Sequence, residues 1–250
     1  MRPWYRSAVA SAVNAVTSEC APVSAPDPAR PRVAIVIVTF NALRHVRITL
    51  DSLRRTRGVK YDVIVVDNDS GLATRAYLLW ATLRRRITRL VLLERNTLFS
   101  PANNIGAAVA DRACSHVLLL NSDVEVRGPR WLSRLLGVHC RGATSYGAPS
   151  NGVMPVASGY CLLIDADLFR EHGLDEALPW FYSVSKLQAR LLADGLSVRA
   201  IAQHDELLYH FGGKSGPPPP GTHATSPQLE EVKSWFGDTA VEVIERLPPG

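Results

Sequence analysis

Val33–Thr39 is an unbroken run of β-branched and other apolar residues, and Tyr61–Val66, Leu90–Leu93 and His116–Leu120 are three more apolar runs. Runs without polar alternation are buried on both faces, as strands of a parallel sheet are. Helical spacing separates them. Residues 42–55 place Leu43, Val46, Leu50 and Leu53 on one stripe, and 74–86 and 103–112 follow as second and third helices. The alternation β-α-β-α-β-α-β predicts an α/β fold, a mainly parallel central sheet flanked by helices. Right-handed crossovers then bring the C-terminal ends of all four strands to one edge.

That edge is where open α/β sheets bind ligands. Here it collects Thr39 and Asn41; Asp67, Asn68 and Asp69; Asn96; and Asn121, Asp123 and Glu125. One polar strand ending is ordinary turn chemistry. Four on one edge indicate a binding site. Asp123 and Glu125 are two apart, so in an extended segment they share a face. Paired hard oxygen donors suit Mg²⁺ or Mn²⁺, with a substrate diphosphate completing the shell. By itself an acid-x-acid tripeptide reads more readily as a solvated turn.

Beyond Gly128 the alternation weakens. Residues 131–136, 165–172 and 185–194 read as helices, the last with Gly195 as its C-cap. Residues 158–164 and 197–202 read as strands, and 147–155 as a loop. Pro217–Pro220 form a stiff extended spacer, and 229–247 a terminal amphipathic helix that packs on the domain, touches membrane or forms a dimer contact. The expected division is a helix or tail plus linker over 1–31, the main domain over 32–216, and the spacer and terminal helix over 217–250.

The chain has 250 residues, 46% hydrophobic and 20% charged, enough for one domain with a sizeable core. No run of eighteen apolar residues exists, so no membrane-spanning helix is expected. The net charge of +5 suits an anionic small ligand, a membrane surface or an acidic protein partner. Nucleic acid is disfavoured, because the basic residues accompany no base-reading motif. Lysine occurs four times against a majority of arginine, the composition of a GC-rich genome. Cys20, Cys114, Cys140 and Cys161 are widely separated. They read as reduced, mostly buried thiols of a cytosolic protein, in no usual zinc-ligand spacing.

From Val33 to Ser215 the chain resembles the family 2 glycosyltransferases, especially their rhamnosyltransferase-like branch. Ordered pieces carry the resemblance: residues 36–41 (VIVTFN), 64–70 (IVVDNDS), 96–106 ending in Asn103-Asn104-Ile105-Gly106, 118–125 (LLLNSDVE), Ser158-Gly159, 173–176 (GLDE) and 210–215 (HFGGKS). It implies the GT-A, or nucleotide-diphospho-sugar transferase, fold. It also implies a donor site at Thr39, Asn41, Asp67, Asn68, Asn103, Asn104 and Asn121. In it Asp67 accepts a hydrogen bond from a uracil or thymine N–H, and Asn103 and Asn104 open the third helix beside the sugar phosphate. Asp123, Glu125 and His210 are the implied metal ligands.

Inverting members place a Glu-Asp pair, one of them the general base, where this chain reads Tyr182-Ser183-Val184-Ser185-Lys186. A base is worth about 10²–10⁴-fold in rate. Three explanations compete: a substitute carboxylate among Asp175, Glu176, Asp205 and Glu206; a better nucleophile such as an amine; or a binding module without turnover. Leu98, Pro101 and Ala102 also replace smaller or more flexible residues of the family's glycine-rich bend.

The resulting expectation is a metal-dependent inverting hexosyl- or deoxyhexosyltransferase using a UDP- or dTDP-sugar. Its acceptor is a small molecule or carrier-bound aromatic of specialised (antibiotic) metabolism. The alternatives are a cell-surface polysaccharide enzyme acting on a lipid-linked acceptor, and a non-catalytic nucleotide-sugar binder. A cytoplasmic location, at most peripheral to the inner membrane, and a homodimer complete it. A nucleotidyltransferase is disfavoured because residues 39–44 contain no glycine.

Overall fold

The computed structural model describes residues 15–17, 31–147, 156–214, 227 and 229–247. Its strands are β1 (Ala15–Thr17), β2 (Arg32–Thr39), β3 (Lys60–Asp67), β4 (Arg89–Leu92), β5 (His116–Asn121), β6 (Val124–Val126), β7 (Gly142–Tyr146), β8 (Cys161–Asp165), β9 (Ser197–Gln203), β10 (Leu208–His210) and β11 (Glu242–Arg246). Its helices are α1 (Leu43–Leu53), α2 (Leu72–Leu83), α3 (Phe99–Ala108), α4 (Trp131–Gly137), α5 (Ala166–His172), α6 (Ser183–Ala193) and α7 (Leu229–Ser234).

Nine strands form one sheet in the order β1-β4-β3-β2-β5-β8-β7-β9-β11, and β10 pairs with β6 in a separate two-stranded ribbon. The four apolar runs are the parallel neighbours β4, β3, β2 and β5. β8 runs antiparallel between β5 and β7, while β7, β9 and β11 are mutually parallel. Burial explains the unbroken apolar runs. Val33, Ile35 and Ile37 of β2 face one core with α1, α2 and α4. The intervening Ala34 and Val36 face another with α5 and α6. Period-two alternation thus serves two buried faces. The register sets Thr39 opposite Asp67, and Val38 opposite Asn121, so the polar strand ends do share one edge.

Gly106 fixes how closely α3 approaches the sheet. A Cβ there would lie 2.4 Å from Val36 Cγ1 and 3.0 Å from Val66 Cγ2. At the end of α6, Gly195 adopts φ +74°, and the Leu196 and Gly195 N–H groups return to the Leu191 and Leu192 carbonyls, the bond pair of a Schellman cap.

Several expectations need correction. The third helix starts at Phe99, not Asn103. Pro101 falls within its first turn, where a missing N–H has no intrahelical partner to lose. The Phe99 and Ser100 N–H groups donate to the Pro179 carbonyl instead. The terminal helix covers only 229–234; Gly237 at φ +52° follows it, and β11 extends the main sheet beside β9. Ala15–Thr17, expected within a helix or tail, pairs antiparallel with the outer edge of β4. The remainder of 1–30, the spacer 217–220 and Cys20 lie outside the described residues. Among the described cysteines Cys114 and Cys161 are buried and Cys140 is exposed; all are free. No helix among the described residues is long and apolar enough to cross a membrane.

Candidate active site

A cavity of about 390 Å³ opens at the C-terminal edge of β2, β3 and β5. Its lining is in part polar, with Asn68, Asn96, Asn103, Asn121, Asp123 and Lys214, and in part apolar, with Phe40, Leu98, Phe99, Trp180 and Phe181. Asp123 is the only acid among the described residues that line it.

Asp123 sits in the turn joining β5 to β6 and is 3% exposed. Pairing of β6 with β10 sets Val124 opposite His210. The His210 Nε2 atom consequently lies 3.2 Å from Asp123 Oδ1 and 3.3 Å from Asn121 Nδ2. The Tyr160 ring stacks on His210 with centroids 4.4 Å apart and planes 13° from parallel, holding the imidazole in place. Burial pushes the Asp123 carboxyl up. The hydrogen bond and charge of His210, with the backbone N–H groups of Lys214 and Asp123, outweigh burial and leave it below its ordinary value. Gly212 and Gly213, both at positive φ, bend the chain so that Lys214 returns to the cavity.

Glu125 does not join Asp123. Residues 122 and 123 form a turn, so alternation does not carry across them, and Glu125 faces a separate cleft with Arg44, Arg47 and Arg55. Its carboxylate lies 3.7 Å from Arg127 Nε.

The expected donor residues divide. Asn68, Asn103 and Asn121 line the cavity. The Asn68 carboxamide is occupied in shaping the wall: its Nδ2 donates to the Leu98 carbonyl and its Oδ1 accepts from the Thr97 N–H. Asn41, exposed and outside the cavity lining, with φ +52°, accepts from the Gly71 N–H. Asn104 turns away from the cavity. Its carboxamide exchanges hydrogen bonds with the Leu174 backbone and donates to Glu176 Oε1. Thr39 and Asp67 are completely buried behind the cavity. Asp67 Oδ2 accepts from Arg75 Nε at 2.9 Å. Thr39 Oγ1, Asp67 Oδ1 and Ser122 Oγ are nevertheless buried without partners. Orphaned polar atoms at three adjacent strand ends mark a place where a ligand supplies partners.

None of the four substitute bases lines the cavity. Asp175 pairs with Lys186 at 2.6 Å and Arg190 at 3.7 Å. Glu176 is held by Asn104. Asp205 and Glu206 line a different cleft, with Glu206 paired to Arg134 at 3.3 Å.

Sequence reasoning missed Trp180 and Phe181, which follow Pro179 in a segment without periodicity. It also missed a second group that could hold a cation: His116, His139 and Asp165 each offer a ligand atom, all within 4.8 Å of one another. This cluster lies at the start of β5 and the end of β8, at the opposite end of the sheet from Asp123. The Gly142 N–H and His139 both bond Asp165 Oδ2.

Residues 34–156 match the glycosyl transferase family 2 model. The mannosyltransferase PcManGT of Pyrobaculum calidifontis, solved with GDP-Man and Mn²⁺, superposes with a TM-score of 0.61 at 20% identity, over 88% of this chain and 66% of that one. Glucosyl-3-phosphoglycerate synthase of Mycobacterium tuberculosis, solved with Mn²⁺, UDP and phosphoglyceric acid, superposes at 0.60 and 15% identity, over 84% and 80%. These likenesses establish the GT-A fold. An uncharacterized protein of Sinorhizobium fredii, y4gI, is 38% identical over 124 residues, which span 46% of this chain and 13% of that protein's length.

Proposed function

We propose that the chain is an inverting transferase that takes a hexosyl or deoxyhexosyl group from a UDP- or dTDP-sugar, with Mg²⁺ or Mn²⁺, to an amine or similarly strong nucleophile on an aromatic or carrier-bound acceptor. The observation that carries the reading is Asp123, held by His210, in the lining of a cavity that Phe40, Phe99, Trp180 and Phe181 also line.

The residues fit a divalent cation. Asp123 offers an ionised, nearly buried oxygen and His210 a nitrogen within hydrogen-bond distance of it. A bound cation would neutralise charge building on the leaving diphosphate. Lys214 adds a positive charge to the same lining, and Asn103 and Asn121 offer hydrogen bonds to donor hydroxyls. The unpartnered oxygens of Thr39 and Asp67 favour a ligand N–H, such as a pyrimidine imide, reaching the β2–β3 edge when the loop at Asn96–Leu98 shifts. Inversion needs the acceptor to attack opposite the leaving group, and Phe99, Trp180 and Phe181, the last two edge to face at 87°, offer apolar ring surface to an acceptor ring.

The acceptor proton limits the choice of acceptor. With no second acid lining the cavity among the described residues, an amine nucleophile that needs little base assistance fits better than an alcohol.

The test is thermal stability with nucleotide sugars, with and without Mn²⁺. A UDP- or dTDP-sugar is expected to raise Tm more with Mn²⁺ present. Asp123→Ala is expected to keep the unliganded Tm within a few degrees and to lose the metal-dependent increment. An absent nucleotide effect in the parent protein, or an undiminished one in the variant, overturns the reading. Bound donor without transfer to any amine leaves the alternative of a nucleotide-sugar binder.

A further inference from the structure

Surface helices normally show solvent a polar face, and α2 does the reverse. Leu72, Ala73, Ala76, Leu79, Trp80 and Leu83 are all exposed, with Leu72 at 88% and Leu83 at 84%. At 100° per residue these six positions fall within an arc of about 120° that contains no polar side chain. The opposite face is ordinary: Thr74, Leu78 and Ala81 are buried against the sheet. The apolar arc is therefore surplus to the core, and a contiguous exposed patch of this kind marks an interaction surface.

Charge identifies the occupant. Residues 71–93 contain five arginines and no acid. Arg84 and Arg85 are exposed at the C-terminal end of the arc. The Arg84 and Arg86 guanidinium carbons lie 5.8 Å and 4.6 Å from the Trp80 ring centre, and Arg47 of α1 reaches over Tyr77 on the flank. Arg75 pairs with Asp67 and Asp69, and Arg86 with Asp51. An apolar stripe flanked by arginines, with a tryptophan at its border, is the arrangement of helices that lie in the interface of a bilayer carrying anionic lipid. A protein partner with an acidic rim would match the arginines too, but interface anchors are typically aromatic or arginine side chains seated in pockets, whereas this stripe is mostly leucine and alanine.

We propose that the exposed face of α2 docks on the surface of a membrane containing anionic phospholipid, with the leucine stripe in the acyl boundary and Arg84 and Arg85 on lipid phosphates. Helix α2 then lies in the membrane plane. Leu72 follows Gly71, whose N–H donates to Asn41, the neighbour of the cavity-lining Phe40, so docking brings this end of the sheet towards the lipid headgroups. This inference needs no catalytic activity and stands apart from the transferase reading.

The experiment is sedimentation of the full chain with vesicles of phosphatidylcholine, pure or mixed with phosphatidylglycerol. Binding is expected to the mixed vesicles and to weaken with added salt. Leu72→Glu and Leu83→Glu should each lower partitioning about tenfold or more, and Arg84→Glu with Arg85→Glu at least about tenfold together. All four positions are exposed and outside the cavity, so donor-induced changes in Tm should persist in the variants. Failure to bind mixed vesicles, or leucine variants that bind as well as the parent, overturns the proposal. So does a dimer in solution that Leu83→Glu converts to monomer, since the face would then join two copies.

Discussion

Lys186 sets its ammonium 2.6 Å from the Asp175 carboxylate, in the very stretch where family 2 enzymes carry an acidic pair. The two residues pair with each other outside the lining of the cavity. Lys186 also lies 5.5 Å from the Trp235 ring centre, so one side chain ties the loop before α6 to the segment after α7. Burial raises the Asp175 carboxyl, but the hydrogen bond from Lys186, the Ala177 N–H and the charges of Lys186 and Arg190 together bring it below 3.8.

Asp175→Asn is therefore expected to act on stability, not on turnover. A depressed native value means the unfolded chain binds the proton more readily, so the contribution is complete above about pH 5 and is lost as pH falls through the native value. The variant should be less stable at pH 7 by about 1 kcal/mol or less, because the pair is partly in water. Denaturant unfolding at pH 7 and near pH 3 should show the gap between variant and parent closing. A loss of turnover of about 10²-fold or more with an unchanged Tm would instead restore Asp175 as the base.

His210 is held between Asp123 and the Tyr160 ring, so its two supports separate by mutation. His210→Ala should lower metal-dependent donor affinity by about 10–100-fold. Tyr160→Leu, which keeps apolar cover but no flat ring, should lower it less. Mn²⁺ titrations in the presence of a UDP- or dTDP-sugar measure both. Equal affinity in the parent and His210→Ala would leave Asp123 as the sole metal-side donor.

Which parts were legible in the sequence follows from what each depends on. The four parallel strands and the shared polar edge were readable because burial on both faces leaves a continuous apolar signature, as at Val33–Thr39. Asp123 was readable by position alone. Glu125 was misplaced because strand alternation was carried through the turn at Ser122–Asp123. Asn103 and Asn104 were placed at a helix start, whereas the helix begins at Phe99 and its first turn accommodates Pro101. Trp180 and Phe181 were invisible because their location depends on the Phe99 and Ser100 N–H groups reaching Pro179, a contact 79 to 80 residues away in sequence. β11 was read as helix because Val243 was counted with the stripe of Val232, Trp235 and Phe236 across Gly237.

Gly106→Ala tests the seating of α3. The added methyl would meet Val36 at 2.4 Å on one side and Val66 at 3.0 Å on the other, both buried β-branched residues of the central strands. Neither can rotate aside into space, so α3 must lift. A cost of about 1–3 kcal/mol is expected from overpacking, larger than the helix-propensity gain of about 1 kcal/mol from replacing glycine. Because α3 carries Asn103 and Phe99 into the cavity, donor affinity should fall with stability. A variant as stable as the parent would mean that the helix sits farther from the sheet.

Leu98 tests whether the cavity wall stores strain. Its φ of +68° with ψ of −164° lies in a region that is essentially reserved for glycine, and glycine is what the family's bend supplies. The conformation is enforced from both sides: Asn96 Oδ1 accepts the Leu98 N–H, and Asn68 Nδ2 donates to its carbonyl. Holding a leucine there costs about 1–3 kcal/mol, while a glycine would forfeit about 0.5–1 kcal/mol of chain entropy and the half-buried side chain's contacts. Leu98→Gly should therefore change unfolding free energy by less than about 1 kcal/mol, although a half-buried leucine is lost. Leu98→Ala, which keeps the strain and loses the contacts, should be the less stable of the two by about 1–2 kcal/mol. Denaturant unfolding of both variants decides: alanine more stable than glycine would show that this backbone relaxes to an ordinary conformation. If the strain is real, a bound nucleotide that draws the Asn96–Leu98 loop outward would release it, and Leu98→Gly should then bind donor more weakly relative to its stability than Leu98→Ala does.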